Sequence, residues 1–133
     1  RERLLDLMWD DVGVLRDATG LARAVDGLDA ISAELDASGL PDTDRAFNLT
    51  WHDWLNLRSQ IVISKVITHA SIARENSRGA HYREDFPDAG DLEKSTFTVV
   101  REIGGEMAVA NEPVVFDIVR PGDTLIKETE AAE

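Results

Sequence analysis

Apolar residues recur at helical spacing through the first part of the chain. Over residues 2–17 they form a single stripe, made of Leu4, Met8, Val12 and Leu15 and widened by Leu5 and Trp9. A second stripe covers residues 21–37 and is made of Leu21, Val25, Leu28, Ile31 and Leu35. This spacing predicts two amphipathic helices. We expect the Thr19-Gly20 pair to separate them and Gly39 to end the second one.

A third and longer helix is predicted over residues 51–77. It opens on Thr50-Trp51-His52-Asp53, which has the form of a capping box with Asp as its acid. Its middle is apolar almost all round, which predicts packing on more than one side. The β-branched residues there also fit a strand, but the length of the segment and the preceding cap favour a helix. Gly79 is expected to cap its C-terminus.

The pattern becomes alternating towards the C-terminus. Thr96 to Ile103 alternate like a strand, Gly104-Gly105 is a hairpin turn signal, and residues 107–111 form the return strand. Residues 114–119 are a candidate third extended stretch. The predicted fold class is mainly α, a spectrin-repeat-like three-helix bundle with a small C-terminal β-hairpin appendage. We expect the bundle to end with residue 87, the appendage to cover residues 88–126, and residues 127–133 to be an acidic disordered tail.

Composition limits the chemistry available to the chain. Its 133 residues fit one domain, and 26 acidic against 14 basic residues give a net charge of −12. That charge argues against a nucleic acid or an anionic membrane as partner of the surface as a whole. The chain has no cysteine, which excludes disulfides, thiolate metal sites and a cysteine nucleophile. It also has no apolar run long enough to span a bilayer.

The charge is unevenly distributed. Residues 56–83 hold five basic residues and a single acid, Glu75, while the segments on either side carry −7 and −9. The basic residues of this island are Arg58, Lys65, Arg74, Arg78 and Arg83. One interpretation is that they pair with acids on neighbouring helices, and the other is that they form an interface to a negative surface on a partner.

No set of residues predicts an active site in this chain. There is no Gly-rich phosphate loop and no serine nucleophile elbow, and His52, His69 and His81 are far apart. We therefore predict neither a catalytic residue nor a metal site. Residues 77–87, with the sequence SRGAHYREDFP, are the unusual segment, since they gather two Arg, a His and a Tyr at a helix end. Such a loop suits contact with a partner domain or an anionic group.

The SRGAHYREDFP segment closely resembles a signature of the C-terminal helical domain in the succinate dehydrogenase/fumarate reductase flavoprotein family, which includes L-aspartate oxidase. Residues 7–17, LMWDDVGVLRD, resemble the first helix of that domain, and residues 55–74 resemble its long central helix. Family members usually carry an acid directly before the Ser of the signature. Here that position is Asn76, and Glu75 lies one residue earlier.

The resemblance implies that this chain is one domain of a longer protein and that other domains bind the cofactor and the substrate. FAD and the substrate-binding His and Arg residues belong to an N-terminal flavin domain and a capping domain, whose motifs are absent from this chain. The resemblance thus implies the C-terminal domain of an FAD-dependent oxidoreductase acting on a dicarboxylate or on L-aspartate. This domain would pack against the flavin domain without being catalytic and without binding FAD by itself. The chain begins at Arg1, which we interpret as a fragment of such a parent.

The resemblance also implies contacts and partners. The flavin-domain contact would be made by Arg78, Gly79, His81, Tyr82 and Arg83. An iron–sulfur subunit is a second expected partner, while nucleic acid and direct membrane insertion are not expected. The expected location is cytoplasmic, or peripheral at the inner face of the cytoplasmic membrane. The alternative, from the bundle shape and the basic island, is a stand-alone interaction module that binds an acidic partner through its third helix.

Overall fold

Three helices and a hairpin make up the fold. The computed structural model describes residues 1–124, so the predicted acidic tail lies outside the described residues. The helices are α1 (Glu2–Val12), α2 (Ala18–Ser38) and α3 (Leu49–Ala73). The strands are β1 (Leu15–Arg16), β2 (Tyr82–Arg83), β3 (Thr96–Ile103) and β4 (Glu106–Pro113). The predicted mainly α class with a strand appendage is confirmed, while the likeness to a spectrin repeat and the division into three segments stay predictions.

The core lies where the three helices meet. Leu4 of α1, Leu28 of α2 and Ile61 of α3 are almost completely buried against one another. Burying such a side chain contributes about 1.5–3 kcal/mol. A second cluster joins α1 to the start of α2 through Val12, Leu21 and Ala24. Within residues 1–124, no helix combines the length and apolar composition needed to cross a bilayer.

The predicted boundary between the first two helices was wrong. α1 ends at Val12 rather than at residue 17, and Gly13 is its C-cap. α2 begins at Ala18, so the Thr19-Gly20 pair lies inside a helix instead of separating two. The physical reason is the side chain of Asp17, whose Oδ1 accepts a hydrogen bond from Gly20 N at 2.8 Å and starts α2 early.

Both predicted ends of the third helix were also wrong. α3 begins at Leu49, and its N-cap is Asn48, whose Oδ1 accepts from Trp51 N at 2.8 Å. Asn48 outcompetes the predicted Thr50 cap because its Nδ2 also donates to two carbonyls of the preceding loop. α3 ends at Ala73, and the C-cap is Arg74 rather than Gly79.

The C-terminal hairpin follows its prediction closely. β3 and β4 pair antiparallel from Thr96 with Pro113 to Ile103 with Glu106. Gly104 and Gly105 both have positive φ, which the tight turn requires. The predicted extended stretch over residues 114–119 is not a strand, and the ladder is prolonged only by the bond from Val114 N to Ser95 O. The parallel pair of β1 with β2, in which Leu15 faces Tyr82 and Arg16 faces Arg83, was not predicted.

Candidate functional site

The SRGAHYREDFP segment follows α3 and lies against the connection between α1 and α2. β2, which is part of the segment, pairs in parallel with β1, and Glu84 N donates to Arg16 O at 2.8 Å. Within the segment, Ser77 Oγ accepts from Arg83 N at 2.9 Å and donates to Phe86 O at 2.8 Å. The segment is therefore folded back on itself and fixed to the start of the bundle.

Arg83 is the buried centre of the segment, with 3% of its surface exposed. Its Nη1 donates to the carbonyls of Ser71 and Ile72 at 2.8 and 3.3 Å. These carbonyls lie in the last turn of α3, where helical partners run out and the helix dipole is negative. The guanidinium also lies over the ring of Phe86, 4.9 Å from its centroid. Arg83 thus supplies the cap for α3 that Gly79 was predicted to provide.

Asp85 neutralises Arg83 and reaches a second helix. Its Oδ1 and Oδ2 accept from Nε and Nη2 of Arg83 at 2.7 and 2.6 Å, a bidentate pair. Oδ2 also accepts from Ala18 N at 3.0 Å, at the positive end of α2. The hydrogen bonds from Arg83 lower the pKa of Asp85 to about 2, and they raise the pKa of Arg83 in turn. We call this pair, which joins the end of α3 to the start of α2, the Arg83–Asp85 clamp.

Arg78 and Gly79 shape the loop beside the clamp. Arg78 donates from Nε to Ala89 O at 2.5 Å, from Nη1 to Ser95 Oγ at 2.7 Å and from Nη2 to Asp91 O at 2.9 Å. It therefore holds the loop that leads into β3. Gly79 is exposed and has a φ of 59° in the turn closed by the backbone bonds between Arg78 and His81. Only a glycine adopts that conformation without strain.

His81 connects the segment to two helix ends. Its Nε2 lies 3.1 Å from Arg74 O, and its Nδ1 lies 3.4 Å from Nη1 of Arg16. Because arginine only donates and a carbonyl only accepts, the proton of the neutral ring belongs on Nε2. Burial lowers the pKa of His81; the bond to Arg74 O opposes this shift, and the nearby arginines reinforce it. Arg16 itself donates from Nε to Val12 O at 3.0 Å and closes the C-terminus of α1, and burial lowers its pKa.

The five predicted contact residues thus come together in one segment but differ in exposure. Arg83 is buried and Arg78 is engaged within the chain, whereas Gly79 is exposed and Tyr82 is 39% exposed. Sequence reasoning missed Arg16 and Asp85, which complete the site. Asp85 could have been found from its position two residues after Arg83 in the signature. Arg16 could not, because the sequence analysis placed it inside the first predicted helix, where it has no recognisable partner.

Of the residues in the basic island, Lys65 pairs with an acid on a neighbouring helix, as the first interpretation expects, while Arg58 and Arg74 contact uncharged side chains. Lys65 Nζ lies 2.6 Å from Asp29 Oδ1 on α2. Arg58 lies over the ring of Trp54 at 5.6 Å, and Arg74 Nε donates to Asn76 Oδ1 at 3.0 Å. Among residues 1–124, no group of three or more His, Asp or Glu side chains is arranged to hold a metal ion.

Comparison with known proteins assigns this architecture to a family. The sequence profile described as "Fumarate reductase flavoprotein C-term" matches residues 1–126. The chain belongs to that family. The fumarate reductase flavoprotein subunit of Mycobacterium tuberculosis is 31% identical over 130 residues, which cover 92% of this chain and 22% of that protein. An L-aspartate oxidase of Streptomyces coelicolor is 33% identical over 95 residues, covering 71% of this chain and 16% of the enzyme.

A solved structure supports the same family assignment. The Mycobacterium smegmatis Sdh1 structure in complex with UQ1 superimposes with a TM-score of 0.75 at 27% identity, covering 87% of this chain and 20% of that one. The predicted resemblance to the C-terminal helical domain of these flavoproteins is therefore confirmed. The chain spans only a small part of the length of the curated relatives it matches, 22% of the M. tuberculosis protein and 16% of the S. coelicolor enzyme.

The first backbone N–H groups of α2 and α3 are bonded to side chains of this chain. Dinucleotide cofactors are bound with their pyrophosphate at a free helix N-terminus. At the start of α2 the backbone N–H groups of Gly20 and Ala18 are bonded to Asp17 and Asp85. At the start of α3 the side chain of Asn48 accepts from the helix. The residues present at these two helix starts thus do not fit the cofactor.

Proposed function

We propose that the chain is the C-terminal domain of an FAD-dependent oxidoreductase of the succinate dehydrogenase or fumarate reductase type. The parent would oxidise or reduce a dicarboxylate, or oxidise L-aspartate. The family match over residues 1–126 is the observation that carries this proposal. Bound to the other domains of such a parent, FAD would supply hydride transfer to or from the substrate carbon. This domain supplies no catalytic group and no FAD site by itself, in keeping with the occupied starts of α2 and α3.

The proposed role of the domain is to support the flavin domain of the same polypeptide. Its signature segment would contribute the contact through Arg78, Gly79, His81, Tyr82 and Arg83. Tyr82 carries a large side chain and is 39% exposed, so it would touch the partner directly. Arg78, His81 and Arg83 would act by holding the loop in shape, because their side chains are bonded within the chain. Gly79 would let the loop turn without a side chain in the way.

Further partners and the location of the parent follow from the same proposal. An iron–sulfur subunit would deliver electrons to the flavin in a complex that reduces fumarate and take them from it in one that oxidises succinate, whereas an L-aspartate oxidase would work without one. We propose a cytoplasmic location, or a peripheral one at the inner face of the cytoplasmic membrane. The stand-alone interaction module is not favoured, because the chain belongs to a flavoprotein domain family and Lys65 of its basic island is paired with Asp29.

The test is the full-length gene product with its natural cofactor. We expect a purified protein with a flavin absorption spectrum, and turnover of fumarate, succinate or L-aspartate. We expect Tyr82→Ala to lower the fraction of protein that retains flavin. Phe97→Ala is the matched control, because Phe97 is an aromatic residue on the hairpin that is 60% exposed and lies outside the signature. A protein without flavin contradicts the proposal, and equal flavin loss in both variants contradicts the role given to Tyr82.

A further inference from the structure

The imidazole of His81 bridges two parts of the chain that are far apart in sequence. Its Nε2 lies 3.1 Å from the carbonyl oxygen of Arg74, directly after α3, and its Nδ1 lies 3.4 Å from Nη1 of Arg16 in β1. We call this arrangement of Arg16, His81 and Arg74 the His81 bridge. It is complete only while the ring is neutral, because a protonated ring carries an N–H on both nitrogens and leaves Arg16 no acceptor.

The charged side chains that act on the imidazole are all positive. They are Arg16 in β1, Arg74 after α3 and Arg83 in β2. Burial is the main reason that the pKa of His81 is lowered; the bond to Arg74 O opposes this shift, and the three positive charges reinforce it. Arginine keeps its charge at every pH at which the chain is folded. Mild acid therefore changes the charge of the ring and not of its basic neighbours.

The acids of this region do not offset a charge on the imidazole. Among residues 1–124, no carboxylate is bonded to the ring. Asp17 accepts from the start of α2, and both Asp17 and Glu75 act electrostatically on Arg83. Asp85 is bonded to Arg83, which lowers the pKa of that carboxyl to about 2. Asp85 thus stays ionised and bonded at the mildly acidic pH at which a histidine takes up a proton.

We propose that the His81 bridge is a pH-sensitive switch, which holds the SRGAHYREDFP segment against β1 and opens when the ring takes up a proton. Protonation sets two donors, Nδ1 of His81 and Nη1 of Arg16, against each other at 3.4 Å. The guanidinium of Arg16 moves away, and its 3.5 Å contact with Ala80 O is lost with it. The backbone bond from Glu84 N to Arg16 O then has no side-chain contact beside it to hold the two strands together.

Opening of the switch changes one surface of the chain and leaves the bundle folded. β1 and β2 have two residues each, and a ladder this short has little stability of its own. Leu15 is 60% exposed and faces Tyr82, so the two side chains lie next to each other only while the strands are paired. Arg83 stays in place, because its bonds to α3 and to Asp85 do not involve His81.

The test is hydrogen–deuterium exchange of the full-length protein at about pH 7.5 and about pH 5, corrected for the intrinsic effect of pH on exchange. The reporter is the Glu84 amide, which is bonded to Arg16 O. The reference is the set of amides in the ladder of β3 and β4, which is remote from the imidazole in sequence. We expect the protection of the Glu84 amide to fall about tenfold in acid, while the protection of the reference amides stays unchanged.

Three variants separate the switch from a general effect of acid. His81→Gln keeps one donor and one acceptor but takes up no proton, so the fall should disappear. His81→Lys carries a positive charge at both pH values and should show low protection at both. His52→Gln is the matched control, because His52 is an exposed histidine at the start of α3 and its replacement should leave the fall unchanged.

The outcomes that contradict the switch are distinct. The proposal is overturned if the Glu84 amide keeps its protection in acid, or if His81→Gln shows the same fall as the unchanged protein. A fall shared by the amides of β3 and β4 would indicate acid unfolding and would overturn it as well. The readout requires no flavin, so a flavin-free protein contradicts the proposed function and leaves the result for His81 standing.

Discussion

Arg83 and Asp85 are two residues apart, and together they connect two different helices. The guanidinium caps the end of α3 through Ser71 O, and the carboxylate caps the start of α2 through Ala18 N. The bidentate bond between them joins the two caps into one unit. The most distinctive part of the sequence therefore has a structural role within this chain, in addition to the contact proposed for its exposed residues.

Removing the guanidinium should destabilise the bundle. We expect Arg83→Ala to lower the free energy of unfolding by about 2–3 kcal/mol, because charge-assisted hydrogen bonds to two α3 carbonyls and to a carboxylate are lost together. Urea unfolding of the chain measures the change. Arg101→Ala is the control, since Arg101 forms an exposed ion pair with Glu112 on the hairpin and should cost less than about 1 kcal/mol. Similar losses in both variants would contradict the clamp.

The clamp also predicts how stability responds to acid. The pKa of Asp85 is lowered from 3.8 to about 2 in the folded chain, so the unfolded chain takes up the proton first. The contribution of this carboxylate is therefore complete above about pH 4 and is lost as the pH falls towards 2. Asp85→Asn should be less stable than the parent chain at pH 6, and the difference should shrink towards pH 2. A difference that does not change with pH would refute this assignment.

His81 should titrate below its ordinary range. Burial lowers its pKa from 6.5, so below pH 6.5 the unfolded chain binds the proton more readily and stability declines with falling pH. A titration of the His81 ring by NMR should give a midpoint under 6.5. The nitrogen shifts of the neutral ring should identify Nε2 as the protonated atom, as its bond to Arg74 O requires. A midpoint above 6.5 would be inconsistent with the buried position.

Replacing Gln60 by Met should stabilise the chain, unlike the replacements of Arg83 and Asp85. Gln60→Met replaces a side chain whose buried Oε1 has no hydrogen-bond partner among the described residues by an apolar one of similar length, and we expect the free energy of unfolding of the isolated chain to rise by about 1 kcal/mol. Gln60→Glu is the comparison, since it places a carboxylate at the same buried position and should destabilise the chain. Thermal unfolding distinguishes the two. A destabilised Gln60→Met chain would mean that the amide of Gln60 makes a stabilising hydrogen bond.

The sequence predicted which elements exist better than where they end. The apolar stripes around Leu4 and Leu28 identify the first two helices because amphipathic spacing is a local property of the chain, and the length of the apolar segment around Ile61 identifies the third. The ends of α1 and α3 depend instead on Arg16 and Arg83, of which Arg83 lies ten residues beyond the last residue of the helix it caps. Such distant caps leave no periodic pattern in the sequence. The parallel pair of β1 and β2 leaves none either, because each strand has only two residues.

In the candidate site, the charge pattern likewise locates the charged residues but does not identify their partners. The composition of residues 77–87 identified the segment, and the family resemblance named it. A cluster of arginines, however, looks the same in sequence whether its partners are carbonyls of the same chain or groups on another domain. Only the fold shows that Arg83 turns inward while Tyr82 remains exposed.

The bond between Ala18 and Asp85 has a consequence for the order of folding. It spans 67 positions, and closing a loop of that length costs about 4 kcal/mol of chain entropy. During synthesis α1 and α2 leave the ribosome well before Asp85 exists, so the start of α2 lacks one of its two carboxylate caps until the signature arrives. The start of α2 is therefore completed only after the rest of the bundle has been synthesised. A nascent chain that stops before residue 85 lacks the hydrogen bond from Ala18 N to Asp85.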